Sequence, residues 1–394
     1  MKNKLNLCNI YILLWLMGFV QALFITNSFV SIAFSVPEML ITVYCCVKTF
    51  TSYKLKGTIL VFSLLFIVLS LYGIIAILFG DAGGYSSYSF LLMVIVMIGP
   101  IIAFYYFSKK NMLDEKKLKF WFVVFLVVAI VHFYDLENRR LAKLMSEGIS
   151  VEEITNNAAY FVLGLFPFVF LFQKKPVIQY VLVGIIMFYV VMGMKRGALL
   201  VAIVLLLWFV IVSNRTASRS RKFFIIGLTL ALIIIGYQFI VQFYDSSEYF
   251  QQRVEDTMEG SSSGRDVIYS NLWNHFLNND NFFQLLFGEG ANATVKVSTM
   301  SAHNDWLELL IDCGVLTVFL YFIYYLCFFW QWRKSKNNPL LFQMIGACFI
   351  YVFLRTFFSM SIIDMPFHTS MIMGYCLAQV FYGNEVSKMS DLYA

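Results

Sequence analysis

Residues 177–212 read VIQYVLVGIIMFYVVMGMKRGALLVAIVLLLWFVIV, and Lys195 and Arg196 are their only charges. Each apolar run on either side of that pair is long enough to cross a hydrocarbon core of roughly 30 Å. The pair leaves almost no room for a loop, so the chain must turn sharply and cross back. Runs of about 17–27 apolar residues recur from end to end, long enough for membrane helices. They are continuous rather than alternating, which excludes a β-barrel. The fold class is therefore an all-α polytopic membrane protein.

Composition agrees. The 394 residues are 60% hydrophobic and 13% charged, and a soluble domain would carry roughly twice that charge. Twelve spans are expected, at 8–25, 28–47, 57–79, 89–107, 119–135, 157–173, 177–194, 197–213, 223–243, 306–332, 340–359 and 366–382. Of the 29 basic residues, twenty fall on alternate connections, from Lys2 and Lys4 to Arg333, Lys334, Lys336 and Lys388. Basic residues stay cytoplasmic, so both termini are expected inside and the other loops outside. The net charge of +6 then reports topology and calls for no nucleic-acid partner. The basic, apolar N-terminus has no small-residue cleavage site after it and reads as an uncleaved first span. The seven cysteines lie in or beside spans without metal-like spacing, as packing residues do.

Cytoplasmic connections are short, with no nucleotide-binding loop. Three outer segments stand out: 81–89, rich in Gly, Ser and Tyr; 135–157, amphipathic; and a large loop, 244–304. In the last, Ser261-Ser262-Ser263-Gly264 reads as a turn and helix cap, with Arg265 in the first helical turn. Ile268, Leu272 and Phe276 then recur every four residues, as on one buried face. The loop is expected to fold over the membrane surface, above a single membrane domain spanning 1–394.

Several residues could carry chemistry. Arg196 must sit at membrane depth, where a guanidinium needs an anionic partner or else snorkels to the headgroups as an anchor. Arg265, at a helix N-terminus, suits a phosphate or a structural ion pair. His303 lies just before span ten and can exchange a proton near neutral pH, as a general base must; a lone histidine is more often structural. Asp305, Glu308 and Asp312 form a stripe at helical spacing. They could orient the imidazole, bind sugar hydroxyls, supply the base, or form a solvated rim. Glu38, Arg355, Asp364 and His368 are intramembrane or near it; they could line a cavity, and the first three could pair with one another.

At these residues the chain resembles the O-antigen ligase and polymerase superfamily. His303-Asn304, nine residues, then Gly314 and Thr317 match the ligase pattern of His, Asn/Ser/Gln, nine residues, Gly, two residues, then Gly, Thr or Tyr. Arg196-Gly197 is similar to the family's Arg-Gly after an apolar span. Ser263-Gly264-Arg265 is similar to its outer-loop helix start, and Gly288-Glu289-Gly290 to a polymerase turn. The resemblance covers roughly 155–335, the family-like catalytic region. It implies a membrane glycosyltransferase of GT-C-like architecture that binds undecaprenyl-pyrophosphate-linked glycan donor and acceptor at the outer face of a bacterial inner membrane. An acceptor hydroxyl attacks the anomeric carbon and lipid pyrophosphate leaves, with arginines stabilising the charge and a base taking the proton. The energy is in the donor, so no nucleotide, metal or other cofactor is implied. Membrane lipid, a flippase and a chain-length regulator are the further partners it would allow.

On this reading His303, Arg265 and Arg196 are catalytic. Asn304, Asp305, Glu308, Lys195, Arg355 and Tyr269 contact substrate. The run 302–310 and Ser263-Gly264-Arg265 look more like the Wzy-type polymerases, which join repeat units. Thr317 departs from them, since they usually have Gly there, and the WaaL-type ligases, which pass chains to lipid A–core, are the alternative. A transporter or flippase is the reading from a different class. Major-facilitator carriers usually have a long cytoplasmic connection between spans six and seven, where this chain has only 173–176.

Overall fold

The computed structural model describes residues 6–24, 28–79, 87–147, 158–193, 195–215, isolated positions between 222 and 255, 264–362 and 364–392. Among these, all regular structure is helical. Hydrocarbon offers the backbone no hydrogen-bond partner, and a helix pairs each N–H and C=O within its own segment.

The helices are α1 Leu7–Phe24, α2 Ser28–Ser52, α3 Thr58–Phe79, α4 Ser87–Met93, α5 Gly99–Lys109, α6 Glu115–Glu147, α7 Ala158–Leu163, α8 Pro176–Met192 and α9 Arg196–Arg215. In the outer segment come α10 Arg265–Leu277, α11 Phe282–Phe287 and α12 Ala293–Ser298, followed by α13 Asp305–Lys334, α14 Pro339–Phe358 and α15 Phe367–Leu392. A π-helical turn, Val94–Ile98, joins α4 to α5, and a 3₁₀ stretch, Phe166–Phe172, follows α7.

Among the described residues, seven helices are long and apolar enough to cross a membrane, and three shorter apolar ones are Leu7–Gln21, Ala158–Phe172 and Pro176–Met192. Helix occupies every expected span except 223–243, which lies mainly outside the described residues. So do Ser261-Ser262-Ser263, Met194 and most of 81–89. The helix of span five continues past its expected end at 135 into the amphipathic segment. α6 runs on to Glu147, and Arg139 pairs with Asp135 one turn back at 3.0 Å.

Helices at the rim of the bundle split into an inward and an outward stripe. In α3, Ile59, Phe62, Leu65, Phe66 and Leu69 are buried, while Leu71, Ile74, Ile75 and Leu78 are exposed. The 3- and 4-residue spacing is that of one helix face, and the exposed apolar stripe is what lipid covers. α5 is buried from Gly99 to Ser108 and lies along α15 at the centre of the bundle. All seven cysteines are free, and six are buried.

α13 begins at Asn304, whose Oδ1 accepts from the N–H of Trp306 (2.9 Å) and Leu307 (3.3 Å), a side-chain cap for the orphan donors of a first turn. α14 begins likewise at Asn338, with Pro339 at its first position. These caps fix where the helices emerge and so where the connecting residues gather.

Candidate active site

The helix ends expected on the outer face converge on Tyr160, in the first turn of α7. Its ring carries the Arg355 guanidinium at 5.0 Å and Lys195 Nζ at 5.9 Å from its centroid. A ring face attracts cations, so two positive groups from α14 and the α8–α9 turn share one platform. Arg355 is 2% exposed. An isolated charge there would be costly, and three neighbours meet it: Asp364, which accepts from Nη2; the Tyr351 hydroxyl, which accepts from Nη1 at 3.3 Å; and the Tyr160 ring. Tyr351 in turn donates to the Tyr160 carbonyl at 2.8 Å. Asp364 is itself well exposed, so the pair reaches from the interior to the surface.

Arg265 opens α10 directly after Gly264, which holds a φ of 75°. Its Nη1 donates to the Phe358 carbonyl at the end of α14 (3.3 Å). Gly197, beside Arg196 at the start of α9, packs under the same residues; a Cβ there would run into the Tyr160 hydroxyl and Phe358 Cβ. The glycine of the Arg-Gly pair is thus required by a close approach.

His303 completes the group. It has a φ of 52°, left-handed for an L-residue, and is partly buried. Burial lowers its pKa below the ordinary 6.5, and Arg265 and Lys195 lower it further, while Asp364 acts the other way. The imidazole is therefore neutral at pH 7 and able to accept a proton. Arg265, Lys195 and Asp364 are near enough to bear on its charge, which puts four expected residues (His303, Arg265, Lys195 and Arg355) into one constellation. Arg196 adjoins it, partly buried, as the first residue of α9.

The other expected residues have structural work. Asn304 is engaged as the α13 cap. Tyr269 packs with Ile268 and Phe276 around Leu272, Ala293, Ala302 and Ile311 in a small core that the outer segment shares with the first turns of α13, and Ile268, Leu272 and Phe276 face it as their four-residue spacing indicates. The acidic stripe is interior, which corrects its reading as a solvated rim. Asp305 is 1% exposed and accepts from Tyr321 (2.6 Å) and from the N–H of Ser361 (2.9 Å) and Ile362 (3.1 Å). Glu308 accepts from the N–H of Ala302 at 2.8 Å. Asp312 accepts from the N–H of Asn292 (3.1 Å) and Thr294 (2.8 Å) and from the Thr294 hydroxyl (2.8 Å). A buried carboxylate is tolerable only when its oxygens are met in this way. The three anchor the segments that frame the site: Asp305 the turn carrying Asp364, Glu308 the approach to His303, Asp312 the start of α12. Glu38 stays apart, buried near Tyr11 and Thr42.

The glycines of the motif act through the backbone. Gly314 breaks α13, with φ 75° and ψ 176°, and Gly288 has φ 78° and ψ 179°. A Cβ on either would fall on the other segment's backbone. The break lets the turn after Gly288 dock edge-on: Glu289 N–H donates to Ile311 (2.9 Å) and Gly290 N–H to Asp312 (3.0 Å). The Cys313 carbonyl takes the hydroxyls of Thr317 (2.9 Å) and Tyr72 (3.1 Å). The Glu289 carboxylate meets His275 Nε2 (2.7 Å) and Asn279 Nδ2 (2.9 Å), which ties α10 to the turn.

This is a polytopic helical membrane protein with a cationic site at the meeting of its helix ends. Residues 180–322 match the family model described as O-antigen ligase, which supports placing the chain in the O-antigen ligase and polymerase superfamily. The match includes Lys195, Arg196, Arg265, His303, Asn304, Gly314 and Thr317, whereas Tyr160, Arg355 and Asp364 lie outside it. No curated protein matches the chain. Tyr160 is the residue that sequence reasoning missed, because a tyrosine at the edge of a Phe/Tyr-rich span carries no distinguishing pattern.

Proposed function

We propose that the protein is a polysaccharide polymerase of the bacterial inner membrane, with both termini cytoplasmic, twelve crossings and a GT-C-like arrangement. It joins undecaprenyl-pyrophosphate-linked repeat units at the outer face, making O-antigen or capsule. The observation that carries this reading is the placing of Lys195 and Arg355 on the one Tyr160 ring, with Lys195 and Arg265 close enough to His303 to help hold its imidazole toward the neutral form. Cations so placed suit a pyrophosphate, and a neutral imidazole beside them suits a hydroxyl that must lose its proton.

His303 takes the acceptor hydroxyl proton as that oxygen bonds to the donor's anomeric carbon. The bond from that carbon to the phosphate oxygen breaks, and the electron pair leaves on lipid pyrophosphate. Arg265 and Arg196, with Lys195 and Arg355, stabilise the negative charge that develops there. A flippase supplying lipid-linked units and a chain-length regulator are partners this role would allow.

The ligase reading keeps two supports: the matched family model is described as O-antigen ligase, and Thr317 stands where the polymerases usually have Gly. A deletion strain separates the two. Loss of a polymerase leaves at most one repeat unit attached, with no ladder on a gel. Long chains stranded on undecaprenyl pyrophosphate would decide for the ligase.

A further inference from the structure

The outer segment leaves an apolar face uncovered on α11. Its sequence, Phe282-Phe283-Gln284-Leu285-Leu286-Phe287, has no charge, and Phe282, Phe283 and Phe287 are 65%, 71% and 49% exposed. Leu277, at the end of α10, is exposed as well. Adjacent bare aromatic rings on a water-facing loop would be an association liability.

The depth of α11 follows from its bonds. The Phe287 carbonyl accepts from the Tyr72 hydroxyl at 2.5 Å, and the same hydroxyl reaches the Cys313 carbonyl. At 1.5 Å per residue, Tyr72 stands about 21 Å along α3 from its first residue, Thr58, which follows Lys56 by two, and Cys313 about 30 Å from Arg333. Lys56 and Arg333 mark the basic ends of α3 and α13. A hydrocarbon core is about 30 Å thick, so α11 lies level with its far edge rather than above it. Its surroundings point the same way. α13 exposes Val315, Leu316, Phe319 and Phe322 just below, and α3 exposes Leu71, Ile74, Ile75 and Leu78 alongside. The phenylalanines of α11 continue these lipid-facing stripes.

The ends of α11 are also fitted for such a place. Asn281 Oδ1 accepts from the N–H of Phe283 (3.1 Å) and Gln284 (3.4 Å), Gly288 N–H donates to the Gln284 carbonyl (2.7 Å), and Tyr72 takes the Phe287 carbonyl. A short helix enters lipid only when its terminal backbone groups are met by protein. We propose that α11 is embedded in the leaflet on the site's side of the membrane, with Phe282, Phe283 and Phe287 against phospholipid acyl chains. It thereby anchors the turn that carries Glu289 and, through His275 and Asn279, the helix that carries Arg265. The proposal rests on the membrane position of α3 and α13 and is independent of the reaction.

The test is photocrosslinking of the full chain in native membranes, with p-benzoylphenylalanine replacing Phe283. Irradiation should give phospholipid adducts, detected by mass spectrometry, as at the lipid-facing position 319. The same residue at the exposed Asn278 should give few. Adducts at 283 to a second copy, to another protein or to polyprenyl lipid would overturn the proposal. So would an unreacted probe at 283 when position 319 labels lipid.

Discussion

Gly314→Ala should damage this protein more than its small size suggests. At φ 75° and ψ 176° the backbone is in a region essentially reserved for glycine, where another residue costs about 1–3 kcal/mol. The added Cβ also lands on the backbone of Leu286 and Gly288, which no rotamer change relieves. Moving the two segments apart stretches the bonds from Glu289 and Gly290 to the Ile311 and Asp312 carbonyls, each contributing about 1 kcal/mol. The total is about 3–5 kcal/mol, a large part of the roughly 5–15 kcal/mol that stabilises a folded protein. Thr317→Gly, which installs the polymerase residue, removes one hydroxyl bond and puts glycine, weaker still than threonine in a helix, inside α13, about 1–2 kcal/mol together. The Cys313 carbonyl keeps its bond from Tyr72. Thermal unfolding of detergent-solubilised protein, followed by size exclusion, should show Gly314→Ala lower in Tm by on the order of 10 °C and Thr317→Gly much less affected. A Gly314→Ala protein as stable as the parent, or less affected than Thr317→Gly, would refute the interlock.

The site makes three further predictions. Arg265→Ala should lower turnover about a hundred- to thousandfold, as loss of one transition-state donor does, with Arg265→Lys intermediate because it lacks the planar fork; full activity in the alanine variant removes Arg265 from the reaction. His303→Ala should cost about a hundred- to ten-thousandfold in kcat. In the parent, because the folded pKa lies below 6.5, activity should hold through neutral pH and fall only as acidification protonates the ring; a profile that falls already above pH 7 contradicts this assignment. Tyr160→Phe keeps the platform under Arg355 and Lys195 and deletes only a hydroxyl with no partner among the described residues, so kcat/KM should stay within a few-fold. Tyr160→Leu loses about 0.5–2 kcal/mol of cation attraction and should raise KM up to about thirtyfold; equal losses in both variants would show that the hydroxyl, not the ring, matters.

What the sequence discloses here depends on whether a feature is periodic. Apolar runs of membrane length, separated by polar connections, place helix at all the described spans, and the four-residue spacing of Ile268, Leu272 and Phe276 discloses the face of α10 that packs into the small core. Arg196, Arg265 and His303 are legible because each sits in a short pattern beside a glycine or an Asn cap. Arg355 showed only as a charge in an apolar run. That a charge cannot face lipid demands a partner, without saying which of Glu38 and Asp364 it is; geometry chooses Asp364 because the turn after α14 folds back over the helix end. The solvated-rim alternative for the acidic stripe fails for a related reason. Helical spacing gives the shared face of Asp305, Glu308 and Asp312 but not the direction that face points. The direction is set by what α13 packs against: the Ser361–Ile362 backbone, the N–H of Ala302 and the start of α12 all offer donors on that side. Tyr160 lies beyond either kind of signal. Its value comes from holding groups 35 and 195 residues further along the chain on one ring, and a contact of that range leaves no mark in local pattern. The local signals therefore find the groups suited to chemistry, while the residue that brings two of them together emerges only once the helix ends have met.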